Sequence, residues 1–254
     1  MQGNFSVLLA VPGGFRRPAA NFGLPLVHMG YALDSTRLYR THPPSGRGGV
    51  MAVDCTADYT GTPGALAAGA MRECTARGFT GIFLDREQPA GKALAAACTA
   101  LERACSAIGI ALYVSPALAP YTRTAAVLVS TAVSGGTLER RMTDAAGRFG
   151  RGRIAMDIEL MRADFTPPAP GGKGTALTAE AFDALVQRLH PNVFFSGDLC
   201  ANYFTYRAGG RTHFVLFDDA RSIRRKLALG KRLGVRCAFL FYPEVEPFLP
   251  QLLT

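Results

Sequence analysis

Two pairs of acidic residues stand out by their spacing. Asp85 and Glu87 end the segment Gly81-Ile82-Phe83-Leu84-Asp85-Arg86-Glu87, and Asp157 and Glu159 open Asp157-Ile158-Glu159-Leu160-Met161-Arg162. Side chains alternate along an extended strand, so the two members of each pair point the same way. Adjacent carboxylates repel, one of them keeps its proton to higher pH, and that suits a general acid. The simpler alternative is one or two surface salt bridges, with Arg86 or another neighbour as the partner.

Other chemistries lack their residues. The six cysteines (Cys55, Cys74, Cys98, Cys105, Cys200, Cys237) include no C-x-x-C pair, which argues against a zinc or thioredoxin-like site. They read as small buried apolar residues, as suits a reducing compartment. His28, His42, His190 and His213 stand alone in the sequence and read as structural rather than as metal ligands, so no metal site is expected. There is no G-x-G-x-x-G after a strand and no G-x-S-x-G elbow. Gly171-Gly172-Lys173-Gly174 lacks the hydroxyl that a phosphate-binding loop places after its lysine.

The elements that must position the acids come from the apolar patterning. Eight short β-rich segments are predicted as strands: Phe5–Val11, Leu26–Leu33, Val50–Cys55, Gly81–Asp85, Ile110–Ser115, Ala126–Thr131, Arg153–Ile158 and Arg236–Tyr242. Several are continuous apolar runs, as for parallel strands covered on both faces. Helical patterns lie between most of them. Thr62-Pro63 opens one that stops at Gly78, others stop at Gly109 and Gly150, Thr178 caps a fourth, and a fifth runs from about Ala220 to Leu233. The crossovers 12–25 and 34–49 hold Pro and Gly and show little helical periodicity. The alternation predicts an α/β fold, a (β/α)8 TIM barrel forming one domain over 1–254, with a doubly wound sheet as the alternative. A β-hairpin insertion is expected between strands seven and eight, at about 192–217, turning at Ala208-Gly209-Gly210. In such a barrel the ends of the strands face the active site, which puts Asp85, Glu87, Asp157 and Glu159 at the mouth.

Composition narrows the partners. The chain has 254 residues, 48% of them hydrophobic, with 28 basic against 19 acidic side chains and a net charge of +9. Disorder is excluded by the apolar content. A membrane span is not expected, because no apolar run reaches about 18 residues. The basic residues fall in scattered pairs and short groups, such as Arg140/Arg141 and Arg224/Arg225/Lys226. They read as a solvated surface, and nucleic acid is not the expected partner. The sequence Met-Gln-Gly-Asn-Phe-Ser has no basic n-region and predicts no secretory signal. The expected location is cytoplasmic or spore-associated.

Several segments together resemble a known family. Thr80–Glu87 is similar to the fourth-strand motif D-G-I-D-L-D-W-E of glycoside hydrolase family 18, with Asp85-x-Glu87 matching and Thr80 and Phe83 in place of the earlier carboxylates. Phe217-Asp218-Asp219-Ala220-Arg221-Ser222-Ile223-Arg224-Arg225-Lys226, after Thr212-His213-Phe214-Val215, resembles the H-x-V-W-F-E-D-A-R-S-I-x-x-K block of that family's spore-cortex-lytic branch. Phe204-Thr205-Tyr206 resembles its F-x-Y. Asp164-Phe165-Thr166-Pro167-Pro168-Ala169-Pro170-Gly171-Gly172 resembles its D-W-T-L-P-x-x-P-G-G. Order and spacing agree from about residue 80 to 245. The branch often carries LysM repeats, and none is read here.

The resemblance implies substrate-assisted retaining hydrolysis of an N-acetylglucosamine-containing glycan such as peptidoglycan, spore cortex or a chitin-like oligosaccharide, with no cofactor. Glu87 corresponds to the residue that protonates the leaving oxygen. Asp85 corresponds to the one that orients the acetamido group. Two departures bear on this. The family's sixth strand carries M-x-Y-D, where this chain has Val127–Ala132. Its eighth strand ends in a Trp, where this chain has Phe241-Tyr242 and no Trp at all. Tyr242 is therefore expected as a smaller stacking face. Asp157 and Glu159, with Met161 and Asp164 after them, are taken as further substrate-binding positions. A catalytically impaired glycan-binding or spore-structural barrel of the same family is the alternative, and a phosphate-handling metabolic barrel is a third reading.

Overall fold

The computed structural model describes residues 5–42, 46–167 and 174–253. Eight parallel strands form its centre: β1 (Ser6–Pro12), β2 (Leu26–Leu33), β3 (Val50–Asp54), β4 (Gly81–Asp85), β5 (Ala111–Val114), β6 (Ala126–Ser130), β7 (Ile154–Ile158) and β8 (Cys237–Phe241). Each pairs with the next, and β1 pairs with both β2 and β8, from Ser6↔Cys237 to Ala10↔Phe241, so the sheet closes. This is the expected (β/α)8 barrel, with strand limits within about one residue of those predicted.

Alternation sorts the strand side chains into two sets. Leu8, Val27, Val50, Ala52, Ala126, Leu128, Ala155, Cys237 and Phe239 fill the barrel interior. Leu9, Met51, Val53, Ile82, Leu84, Val127, Met156 and Leu240 point outward and pack beneath the helices. Inside, Phe83 and Tyr113 lie against Phe239 at centroid distances of 5.7 and 5.1 Å. Phe83 stands where the resembled motif has a carboxylate, and it belongs to this aromatic plug.

Five longer helices flank the barrel: α1 (Pro63–Arg77), α2 (Lys92–Ile108), α3 (Leu138–Phe149), α4 (Ala179–Leu189) and α5 (Ala220–Arg232). Their ends follow the residues that predicted them. Thr62 accepts a bond from the Ala65 N–H with Pro63 behind it, and Gly78 closes α1 in the left-handed region at φ 66°. The first crossover holds only the short helix Arg16–Ala20 and a 3-10 turn. The second holds Leu38–Arg40, antiparallel to β2.

Between β7 and β8 the expected hairpin is part of something larger. Five antiparallel strands form a second sheet in the order Thr175–Ala176, Arg162–Phe165, Arg211–Phe217, Ala201–Ala208, Phe194–Ser196. Its central turn is Gly209-Gly210, both at positive φ (58° and 74°), as a tight two-residue hairpin requires. Arg162–Phe165 and Thr175–Ala176 are too short for their periodicity to announce them. One face of this sheet packs on α4 through Phe204, Val215 and Leu185.

The sheet is tied to the barrel through Asp218. Asp219 is the cap, in a reciprocal capping box with Ser222. Asp218 is buried. Its carboxylate accepts from Lys226 Nζ at 2.6 Å, Ser222 Oγ at 2.6 Å and the Met161 N–H at 2.7 Å. Lys226, expected in a solvated basic group, is 1% exposed. Removing one partner of such a pair leaves the other charged and dry. Lys226→Ala is therefore expected to cost about 3–5 kcal/mol in denaturant unfolding. The double change Asp218→Asn, Lys226→Met is expected to cost less than that single one.

Candidate active site

The acids predicted at the mouth are brought to one end of the barrel. Asp85 is the last residue of β4, and its register partner on β3 is Asp54. Both side chains belong to the inward set, above Phe83 and Ala52. They line a cavity of about 200 Å³ with Ala10, Met29, Tyr31 and Thr41. Burial raises the Asp85 carboxyl above its ordinary range, and the like charges of Asp54 and Glu87 raise it further. Asp85 and Asp54 are nonetheless exposed at the open end. Glu87, two residues on, is exposed.

Asp157 belongs to the same inward set on β7, where its register partners are Ser130 and Phe239. It is half-buried, and burial with the charges of Glu159, Asp85 and Glu244 pushes its carboxyl up to about 6. Asp157 and Asp85 thus act on one another across the mouth. Glu159 accepts a bond from Ser130 Oγ at 2.6 Å. Glu244 follows β8 in the short helix Tyr242–Val245 and is raised by burial and then by Glu159.

Arg86 does not pair with its acidic neighbours. Alternation turns it outward, where its guanidinium donates to the carbonyls of Cys55, Thr56 and Ala57, at 3.0 and 3.1 Å for the last two. The Ser115 hydroxyl donates to the Arg86 carbonyl at 2.6 Å and accepts from its N–H at 3.0 Å. These bonds fix the turn that carries Glu87. A lone Arg between two acids signals only a salt bridge in sequence, so this role was not legible.

Three predicted substrate-binding residues are placed elsewhere. Tyr242 is fully buried, packs against Phe15 and Phe22, and donates to Glu246 Oε1 at 2.6 Å. It presents no stacking face, because alternation puts it with Leu240 on the outer side of β8. Met161 packs in the apolar cluster of the second sheet with Ala163 and Leu216. Asp164 sits opposite Val215 in that sheet, accepts from Tyr206 Oη at 2.6 Å and lies 3.0 Å from His213 Nδ1. No described contact joins Asp164 to the mouth carboxylates. Residues 168–173, which carry much of the resembled Pro/Gly segment, lie outside the described residues. Asp54 and Glu244 were missed. Asp54 ends an apolar strand beside Asp85, a signal that register supplies; Glu244 lies in a Tyr-Pro-Glu turn with no periodicity.

No protein-family model matches the chain, and no curated protein matches it by sequence. Solved structures do match. The chitinase from Chromobacterium violaceum superposes with a TM-score of 0.68 at 17% identity, over 98% of each chain. The spore cortex-lytic enzyme SleL from Bacillus megaterium gives 0.65 at 18% identity, over 94% of this chain and 71% of that one. A glycoside hydrolase family 18 N-acetylglucosaminidase from Paenibacillus barengoltzii gives 0.67 at 15% identity, over 98% and 99%. The chain has the fold of the family 18 glycoside hydrolases. The mouth of the barrel holds six carboxylates, Asp54, Asp85, Glu87, Asp157, Glu159 and Glu244, of which four were read from the sequence.

The raised Asp157 carboxyl has a consequence for stability. The folded chain keeps a proton there that the unfolded chain, at its ordinary 3.8, has released, so stability falls as pH rises from about 4 to about 6. Asp157→Asn removes that loss. The variant is expected to be roughly 1–2 kcal/mol more stable than the parent at pH 7, with the gain vanishing below the unfolded value, as read by unfolding at both pH values.

Proposed function

We propose that this chain is a glycosidase of the family 18 type, acting on an N-acetylglucosamine-containing glycan such as peptidoglycan, spore cortex or a chitin-like oligosaccharide. The observation that carries this is the Asp85-x-Glu87 pair at the end of β4, in the register that the resembled motif implies. Glu87 is the general acid. It stands exposed at the mouth, where a leaving oxygen has access, on a turn held by Arg86 and Ser115. Asp85 lies below it, one strand position closer to the plug, where its charge supports the positive charge that develops at the sugar.

A second reading has its own support. Tyr242 is buried and β6, with the residues that follow it to Ala132, has no tyrosine, so two supports of substrate-assisted cleavage are missing. On that reading the barrel binds glycan without cutting it. Glu87→Gln separates the two. It is expected to abolish release of reducing ends from peptidoglycan or chitin oligosaccharides, at least about 100-fold, while the thermal melt stays unchanged. Equal release by parent and variant rejects Glu87 as the acid. Binding without release by either supports the non-catalytic barrel.

A further inference from the structure

A second, smaller cavity adjoins the mouth. It holds about 30 Å³, the room of one water or one carboxylate group. Val11, Gly13 and Arg16 wall it from β1 and the turn after it, and His28 walls it from β2. Met29, Gly30 and Tyr31 line both this cavity and the one that holds Asp54 and Asp85. The cause is a bulge. The pairing of β2 with β3 slips between Met29 and Tyr31, so the extra residue leaves Met29 towards the mouth and Tyr31 on the outer side. A ligand seated over the acids therefore has a short route across Met29 and Gly30 into the second cavity.

The two cavities are opposite in charge. The second is lined by Arg16, His28 and His42 and by no acid. Burial and then the charge of Arg77 hold the Arg16 guanidinium below its ordinary value, so the two cations stand close together. Glu73, near Tyr31, is already engaged: it accepts from Tyr31 Oη at 3.0 Å and from Arg40 at 2.7 Å. Among the described residues neither Arg16 nor Arg77 is in an ion pair. His28 is the second sign of a ligand. It is 7% exposed, and its Nδ1 is buried with no hydrogen-bond partner among the described residues. Buried polar atoms are rarely left unpaired, and this one belongs to a side chain that lines a basic cavity.

A carboxylate answers both features. It accepts from Nδ1 in the tautomer that carries the proton there, and it gives the guanidinium a charge-assisted partner. A neutral hydroxyl or amide satisfies the imidazole alone and leaves the cation unmatched. We propose that the cavity between β1 and β2 takes a carboxylate carried by the glycan. The substrate is then an anionic strand whose sugars bear an acid, as the lactyl group of N-acetylmuramic acid does, rather than a neutral chitin-like one. This rests on the glycan-binding reading of the neighbouring mouth and narrows its substrate class.

The test is calorimetric titration of the whole chain at pH 7, in the Glu87→Gln background so that the sugar stays whole. Three probes are used: a tetrasaccharide alternating N-acetylglucosamine with N-acetylmuramic acid, the same tetrasaccharide with its carboxyls reduced to alcohols, and N-acetylglucosamine tetramer. The carboxylated probe is expected to bind at least about tenfold more tightly than either of the others, with the gap shrinking in high salt. Adding Arg16→Gln, at a partly exposed position, or His28→Gln is expected to close that gap; thermal melts check folding, and the Arg16 variant decides if the buried His28 change unfolds the chain. If the carboxylated and reduced probes bind alike, or N-acetylglucosamine tetramer binds as tightly as the carboxylated one, the carboxylate is not read and the glycan site stands. If the gap survives in folded Arg16→Gln, the acid is read elsewhere and the proposal falls. If none of the three binds, both this proposal and the glycan-site reading are overturned.

Discussion

Closure of the parallel barrel is the constraint from which the rest follows. Once β1 pairs with both β2 and β8, every strand has a fixed neighbour and a fixed register. Alternation then decides, residue by residue, which side chains face the axis. Asp54 meets Asp85 because β3 and β4 are in register, and Asp157 faces inward because Ala155 does. The aromatic plug of Phe83, Tyr113 and Phe239 fills the space beneath them. Like charges are thereby held together at the rim by backbone pairing elsewhere, which is how a fold sustains an arrangement that the acids alone would disperse.

The second sheet depends on a different device. One of its faces is covered by α4, and its link to the barrel runs through Asp218, where chain from three places meets: the segment after β7 at Met161, the strand before α5, and α5 itself at Ser222 and Lys226. The bonds satisfy the carboxylate from several directions, so the pair is dry without being unsolvated in effect. The resembled Asp-Asp-Ala-Arg-Ser-Ile block is thus architecture, one acid serving as hub and the next as helix cap.

Much of this was legible in the sequence because it rests on periodicity. Short β-rich segments, several of them continuous apolar runs, marked the eight strands, and Thr-Pro, Thr and Gly marked the helix ends. The four acids of the two spaced pairs were legible because alternation operates within a single strand. Asp54 and Glu244 were not, since their place depends on pairing between strands and on a turn after the last one. Lys226 was misread because a basic triplet looks solvated until a buried partner is known. Tyr242 was misjudged although the rule that sorts it was available: Phe239 faces in, so Leu240 and Tyr242 face out. The small strands Arg162–Phe165 and Thr175–Ala176 carry too few residues for any period to show.

Arg86 holds the loop after β3 by its carbonyl oxygens, and every residue has one. The side chains of Cys55, Thr56 and Ala57 contribute nothing to that grip. The anchorage is therefore indifferent to what those residues are. Cys55 is buried and held to a small apolar side chain by the core, but Thr56 and Ala57 are exposed, so those two positions of the rim are free to vary while the turn bearing Glu87 stays where it is.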